Sequence, residues 1–121
     1  MGTAPAAKPQ AQFRLRIRAG DQVAIGPGKV ALLESVAQTG SITGAARALG
    51  MSYRRAWLLI DEMNRCLREP AVTTSAGGPH GGGAALTPVG EEIVRRYRAV
   101  ESGAHRATRS EIAALARLIR T

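Results

Sequence analysis

Residues 41–57 read SITGAARALGMSYRRAW, and this stretch decides the fold. Two short segments of helical periodicity meet at a glycine. Ser41 is placed to cap the first helix, whose inward positions are Ile42, Ala45, Ala46 and Leu49, and Gly50 stops it. Ser52 caps the second, whose apolar face is Ala56, Leu59, Ile60, Met63 and Leu67. Helices that cross closely need small side chains, which Ala45, Ala46 and Gly50 supply. Tyr53, Arg54 and Arg55 then occupy the first turn of the second helix, the part of a recognition helix that reaches base edges. The pattern is that of a helix-turn-helix.

The charges in this stretch point outward to an anion. A cation at a helix N-terminus meets the positive end of the dipole and loses ~0.3–1 kcal/mol at a surface site. A helix arranged for stability alone carries acids there, as Glu91 and Glu92 do after Thr87. Phosphates or guanine edges would offset the cost for Arg54 and Arg55, because the guanidinium fork fits both. The bland alternative is that each arginine pairs with a carboxylate elsewhere in the fold. The distribution of acids favours DNA. Residues 35–60 contain no Asp or Glu, yet they hold Arg47, Arg54 and Arg55, and residues 70–90 are again free of acids.

Outward from this core, residues 1–12 read as a flexible tail. In FRLRIR, residues 13–18, Phe13, Leu15 and Ile17 alternate with Arg14, Arg16 and Arg18, which predicts a half-buried strand with a solvated cationic face. Gly20-Asp21 turns it back through Val23 and Ile25. Gly26-Pro27 opens a helix with Val30, Leu33, Val36 and Ala37 on one stripe, ended by Gly40. After Glu69-Pro70, residues 71–75 and 84–86 read as two strands around the glycine-rich tip AGGPHGGGA. Thr87-Pro88 caps a helix with Val89, Ile93, Tyr97 and Val100, and Ser102-Gly103 is a place where it could break. Residues 110–120 carry Ile112, Leu115, Ala116 and Ile119 at helical spacing. The fold class is mainly α with a small β wing, a winged helix-turn-helix over 13–106. The segment 107–121 is expected to be a dimerisation helix.

Composition bounds the function. The 121 residues are 45% hydrophobic, enough for one real core, and 17 Lys/Arg against 9 Asp/Glu leave a formal charge of +8. Such an excess selects polyanionic partners. Cys66 is the single cysteine, which rules out an intrachain disulfide and is read as a small packed residue. No apolar run is long enough to span a membrane and no signal-peptide core is visible, so a cytoplasmic protein without membrane association is expected. His80 and His105 lack metal-ligand partners at familiar spacings and are read as surface residues. With no nucleophile–base pair and no carboxylate pair, neither an enzyme nor a cofactor is expected. The glycine tip lacks the Gly-Lys-Ser/Thr ending of a nucleotide loop. Trp57 is read as a packing anchor, and Asp61 and Arg65 as a surface i, i+4 pair.

Several motifs resemble one family. LLESVAQTGSITGAARALGMSYRRAW (32–57), DEMN (61–64), the glycine tip and LTPVGEEIVRRY (86–97) are similar to the amino-terminal domain of the molybdate-dependent regulator (ModE) family. The resemblance covers 27–101, and the helix-turn-helix alone is more distantly similar to LysR-type regulators. It implies a dimeric winged-helix regulator of molybdenum-related operons. By position it places Ser52, Tyr53, Arg54 and Arg55 in the major groove and the glycine tip near the DNA backbone. The candidate DNA-contacting residues are Ser41, Thr43, Arg47, Ser52, Tyr53, Arg54 and Arg55, with Gly78, His80, Gly81 and Gly82 of the tip. Pro79-His80 stands where the family's tip carries a lysine, which puts a cationic wing contact in doubt. Family members bind molybdate in carboxy-terminal β-barrel domains. Since the sequence reaches only Thr121, a stand-alone homodimeric regulator of double-stranded DNA that does not bind molybdate itself is expected. The competing readings are a module that pairs with a full-length regulator and a sequence-tolerant architectural DNA binder.

Overall fold

The chain begins with a small hairpin that the arginine–aliphatic alternation only partly foretells. The computed structural model describes residues 8–75 and 82–120. β1 (Ile17–Ala19) and β2 (Gln22–Ile25) pair antiparallel around Gly20, with a register shift between Ile17 and Arg18. The regular strand is therefore shorter than the 13–18 run. Phe13 and Leu15 are half-buried and the three arginines exposed, as alternation requires, but Ile17 escapes the pattern at 48% exposure.

Three helices follow: α1 (Pro27–Thr39), α2 (Ile42–Ala48) and α3 (Tyr53–Cys66). Their ends are set by local chemistry. Pro27 sits in the first turn of α1, and Gly40 closes it at φ 74, a left-handed conformation that glycine adopts without steric cost. The Ser41 and Ser52 hydroxyls accept the Gly44 and Arg55 amides at 2.9 and 3.1 Å, so both serines are N-caps. Gly50, at φ 68, makes the elbow between α2 and α3.

The core gathers where these helices cross. Leu32, Leu33, Val36, Ala45, Ala56 and Met63 are essentially inaccessible, and each large aliphatic buried this way contributes roughly 1.5–3 kcal/mol. Two inward assignments are corrected. Ala37 and Leu49 face solvent, while Leu32 and Lys29 are buried, so the buried face of α1 lies about one residue round from the predicted stripe. Lys29 is held by the Val23 carbonyl and by Glu62 of α3, joining three elements.

The wing root is β3 (Val72–Thr74) and β4 (Ala84–Leu86), paired antiparallel with Thr73 opposite Ala85. It is fastened to the bend between α1 and α2, since the Ala84 amide donates to the Gly40 carbonyl at 2.8 Å. α4 (Pro88–Ala107) is capped by Thr87, and α5 (Arg109–Ala116) follows Thr108. α4 runs unbroken through Ser102-Gly103, contrary to the expected interruption, because its i→i−4 ladder tolerates one glycine at a cost of about 1 kcal/mol. α5 is shorter than the 110–120 pattern.

α4 is anchored at three points. Gly90 lies against the Ala71 carbonyl so closely that a Cβ there would meet the oxygen at 2.2 Å. The Tyr97 hydroxyl donates to the Leu15 carbonyl at 2.9 Å, tying the amino-terminal segment down. Arg98 grips Glu34 of α1 through one edge of its guanidinium, Nε and Nη2, with Nε 3.0 Å from Oε2, and its Nη1 meets Glu101 at 2.6 Å. Val100, assigned to the inward stripe, is instead 50% exposed.

Candidate nucleic-acid interface

The first turn of α3 projects its side chains away from the core. Its buried arc is Ala56, Ile60 and Met63, and at 100° per residue Arg54 falls almost opposite that arc, with Arg55 beside it. Tyr53, Arg54 and Arg55 are all exposed. Among the described residues no carboxylate forms an ion pair with either arginine. The two acids of α3 lie two turns further on and are engaged elsewhere. Asp61 pairs with Arg65 at 2.9 Å, as the i, i+4 spacing predicts, and Glu62 meets Lys29 at 2.7 Å. Two guanidinium groups therefore stand at the positive end of a helix with no carboxylate among the described residues paired to them.

Ser52 has its oxygen committed to the Arg55 amide, so its place at the interface is to fix where the helix starts. Ser41 is likewise committed to Gly44 and is half-buried. Thr43 and Arg47 on α2 are exposed; Arg47 lies in the last turn, where the dipole favours a cation.

Thr43 and Tyr53 converge with Gly82 on a cavity of about 310 Å³ between the helix pair and the wing root. Its other walls are Ile42, Trp57, Thr74, Ser75 and Gly83. Ser75 Oγ accepts the Gly83 amide at 3.1 Å, which closes the base of the wing. Gly78, His80 and Gly81 lie outside the described residues.

Trp57 departs from the packing role expected of it. It is 45% exposed, one turn beyond Tyr53 at 54% and next to Leu58 at 46%. The reason is angular: Trp57 follows fully buried Ala56 and is carried a further 100° round the helix, to the rim of the core. Thr74, Ser75 and Leu58 were not singled out as site residues by sequence pattern. Only the helical projection of Leu58, opposite the buried arc, could have flagged it. Cys66 is half-buried and its Sγ donates to Gln22 Oε1 at 3.4 Å, and His105 packs edge-on against Phe13 at 4.7 Å. Among the described residues no group of three or more His, Cys, Asp or Glu could hold a metal ion, and no helix is long and apolar enough to cross a membrane.

Residues 28–91, more than half of the chain, match the family described as bacterial regulatory helix-turn-helix protein, lysR family. The chain belongs to this family. The region shared with the family runs from α1 through the wing into the first turn of α4. The similarity to ModE proteins read from the motifs is also found. The chain is 48% identical over 79 residues to the molybdenum-pterin-binding protein MopB of Rhodobacter capsulatus, covering 65% of this chain and 29% of that protein. It is 45% identical over 78 residues to the molybdenum transport protein ModE of Azotobacter vinelandii, covering 64% and 29%. It is 35% identical over 88 residues to the DNA-binding transcriptional dual regulator ModE of Escherichia coli K12, covering 73% and 34%. The chain thus spans about a third of the length of these relatives. In fold it is similar to full-length LTTR LysG from Corynebacterium glutamicum, with a TM-score of 0.55 at 20% identity over 78% of this chain and 30% of that one.

Proposed function

We propose that the chain is a transcriptional regulator that binds duplex DNA sequence-specifically, with the first turn of α3 in the major groove. The observation that carries this reading is the pair Arg54 and Arg55, exposed at a helix N-terminus with no carboxylate partner among the described residues. Phosphate contacts would supply most of the affinity and make it fall with salt. Base readout comes from the two arginines, each worth ~1–3 kcal/mol of discrimination when bidentate to guanine. Thr43, Arg47, Tyr53 and Gly82 line the approach on either side, and Ser41 and Ser52 hold the two helix starts.

The test is selection of duplexes from a random pool, with and without molybdate because the relatives' names tie them to molybdenum. Arg54→Ala/Arg55→Ala is expected to lose selectivity while keeping its fold by circular dichroism. A double variant that still selects the same duplexes would remove the basis for this reading.

Homodimerisation belongs to the same proposal. Val100, Leu115, Leu118 and Ile119 are 50–82% exposed, so α4 and the carboxy-terminal segment leave large aliphatic side chains uncovered. A symmetric pair would cover them and match a two-fold site. The same surface supports a second reading, in which the chain pairs with a longer relative and alters its output. Sedimentation of the chain alone, then mixed with a ModE protein, separates the two.

A further inference from the structure

We infer that Leu58 is a specificity residue that reads the C5 methyl group of a thymine within two base pairs of the base met by Arg54. The inference rests on the DNA-reading role proposed for α3 and names what its second turn recognises.

Arg54, Leu58, Asp61 and Arg65 fall along one outward line of α3, at i, i+4, i+7 and i+11. The chemistry changes along that line. Arg54 is a cation with no ion-pair partner among the described residues, Leu58 is an aliphatic side chain 46% exposed, and Asp61 and Arg65 neutralise each other at 2.9 Å. A single exposed leucine carries no message by itself, since soluble proteins scatter them freely. Its position does. Leu58 is flanked by Arg54 at i−4 and Arg55 at i−3, so a surface that meets the guanidinium groups meets Leu58 too. That surface must offer anionic or acceptor groups and, one helical turn away, an apolar one. The axial offset from Arg54 to Leu58 is about 6 Å, within two base-pair steps. In the major groove, phosphates and guanine O6/N7 answer the first requirement, and the thymine methyl is the apolar group that answers the second. Trp57, the next residue along the chain, is also exposed and lines the wing-root cavity, so the apolar surface does not end at Leu58.

The experiment uses the full chain and a duplex it has selected. Each thymine is replaced singly by deoxyuridine, which deletes only the methyl group. One thymine, or a symmetry-related pair, is expected to raise Kd about fourfold, the worth of one buried methyl. In Leu58→Ala the same replacement is expected to have no effect, while the salt dependence of binding and the thermal unfolding curve stay as in the parent. The inference is overturned if no thymine responds in the parent, or if the same thymine responds equally in Leu58→Ala. A chain that selects no duplex at all sinks the reading of α3 and this inference together. One that selects a duplex but ignores every methyl sinks only the inference.

Discussion

The Lys29 ammonium, 5% exposed on α1, meets the Glu62 carboxylate of α3 at 2.7 Å and also donates to the Val23 carbonyl of β2. One cation thereby locks the hairpin to the helix pair behind the proposed DNA face. Glu62→Ala strands that ammonium. The expected loss is roughly 1–3 kcal/mol, less than for a fully enclosed pair because the Glu62 side chain keeps 39% of its surface in water. Lys29→Met retains the volume and leaves a solvated carboxylate, so it should lose less. Urea midpoints for the two variants, with Glu62→Ala the lower, check this ordering.

Gly90 gives a substitution whose sign is opposite to the usual one. Glycine to alanine inside a helix normally gains up to about 1 kcal/mol. Here the new methyl would enter the Ala71 carbonyl at 2.2 Å, and that oxygen is already occupied by the Thr87 amide at 2.9 Å. Gly90→Ala is expected to destabilise by about 1–3 kcal/mol through overpacking. Thermal unfolding reports it directly, and an unchanged or raised midpoint would show that α4 can slide off β3.

Much of this was legible beforehand, and the dividing line is physical. Pro27, Gly40, Ser41, Gly50, Ser52 and Thr87 were readable because helix starts and stops are local chemistry. The exposed placement of Arg54 and Arg55, without an ion pair among the described residues, was readable because a cation at the wrong end of a dipole is an anomaly within a single turn. Ala37, Leu49 and Val100 were misplaced because periodicity shows that a stripe exists, whereas its exact bearing depends on neighbouring helices. Lys29 was missed for the same reason: its burial requires Glu62, 33 residues away. The exposure of Trp57 was hidden because only the crossing angle of α2 and α3 decides which side of Ala56 remains open.

Ser52 separates stability from recognition. Its hydroxyl accepts the Arg55 amide, so Ser52→Ala should cost about 1 kcal/mol of stability. Ser52→Asp caps as well and suits the dipole, so it should hold or raise stability. Its charge, however, would oppose the phosphates that the proposed function brings to Arg54 and Arg55. DNA affinity is expected to fall even though the melting temperature does not. Parallel melting and electrophoretic binding curves would expose any case in which the two move together.

Tyr97 sets an alkaline limit. Burial, aided by the nearby Glu101 carboxylate, raises its pKa above the ordinary value near 10. A raised folded pKa means the unfolded chain loses the proton first. The contribution is complete below about pH 10 and is lost as pH climbs through the folded value. Tyr97→Phe should be less stable at neutral pH by the hydrogen bond to Leu15, about 0.5–1.5 kcal/mol. It should also decline less between pH 9 and 11 than the parent, which paired unfolding curves across that range would test.

The Gly40 carbonyl that receives the Ala84 amide makes the wing root a continuation of the bend that also begins α2. The spacing from recognition turn to wing root is then set by backbone bonding. Under the proposed DNA-binding function, a site lengthened by one base pair between α3 and the wing root is expected to be bound more weakly, because that spacing cannot stretch without breaking this bond.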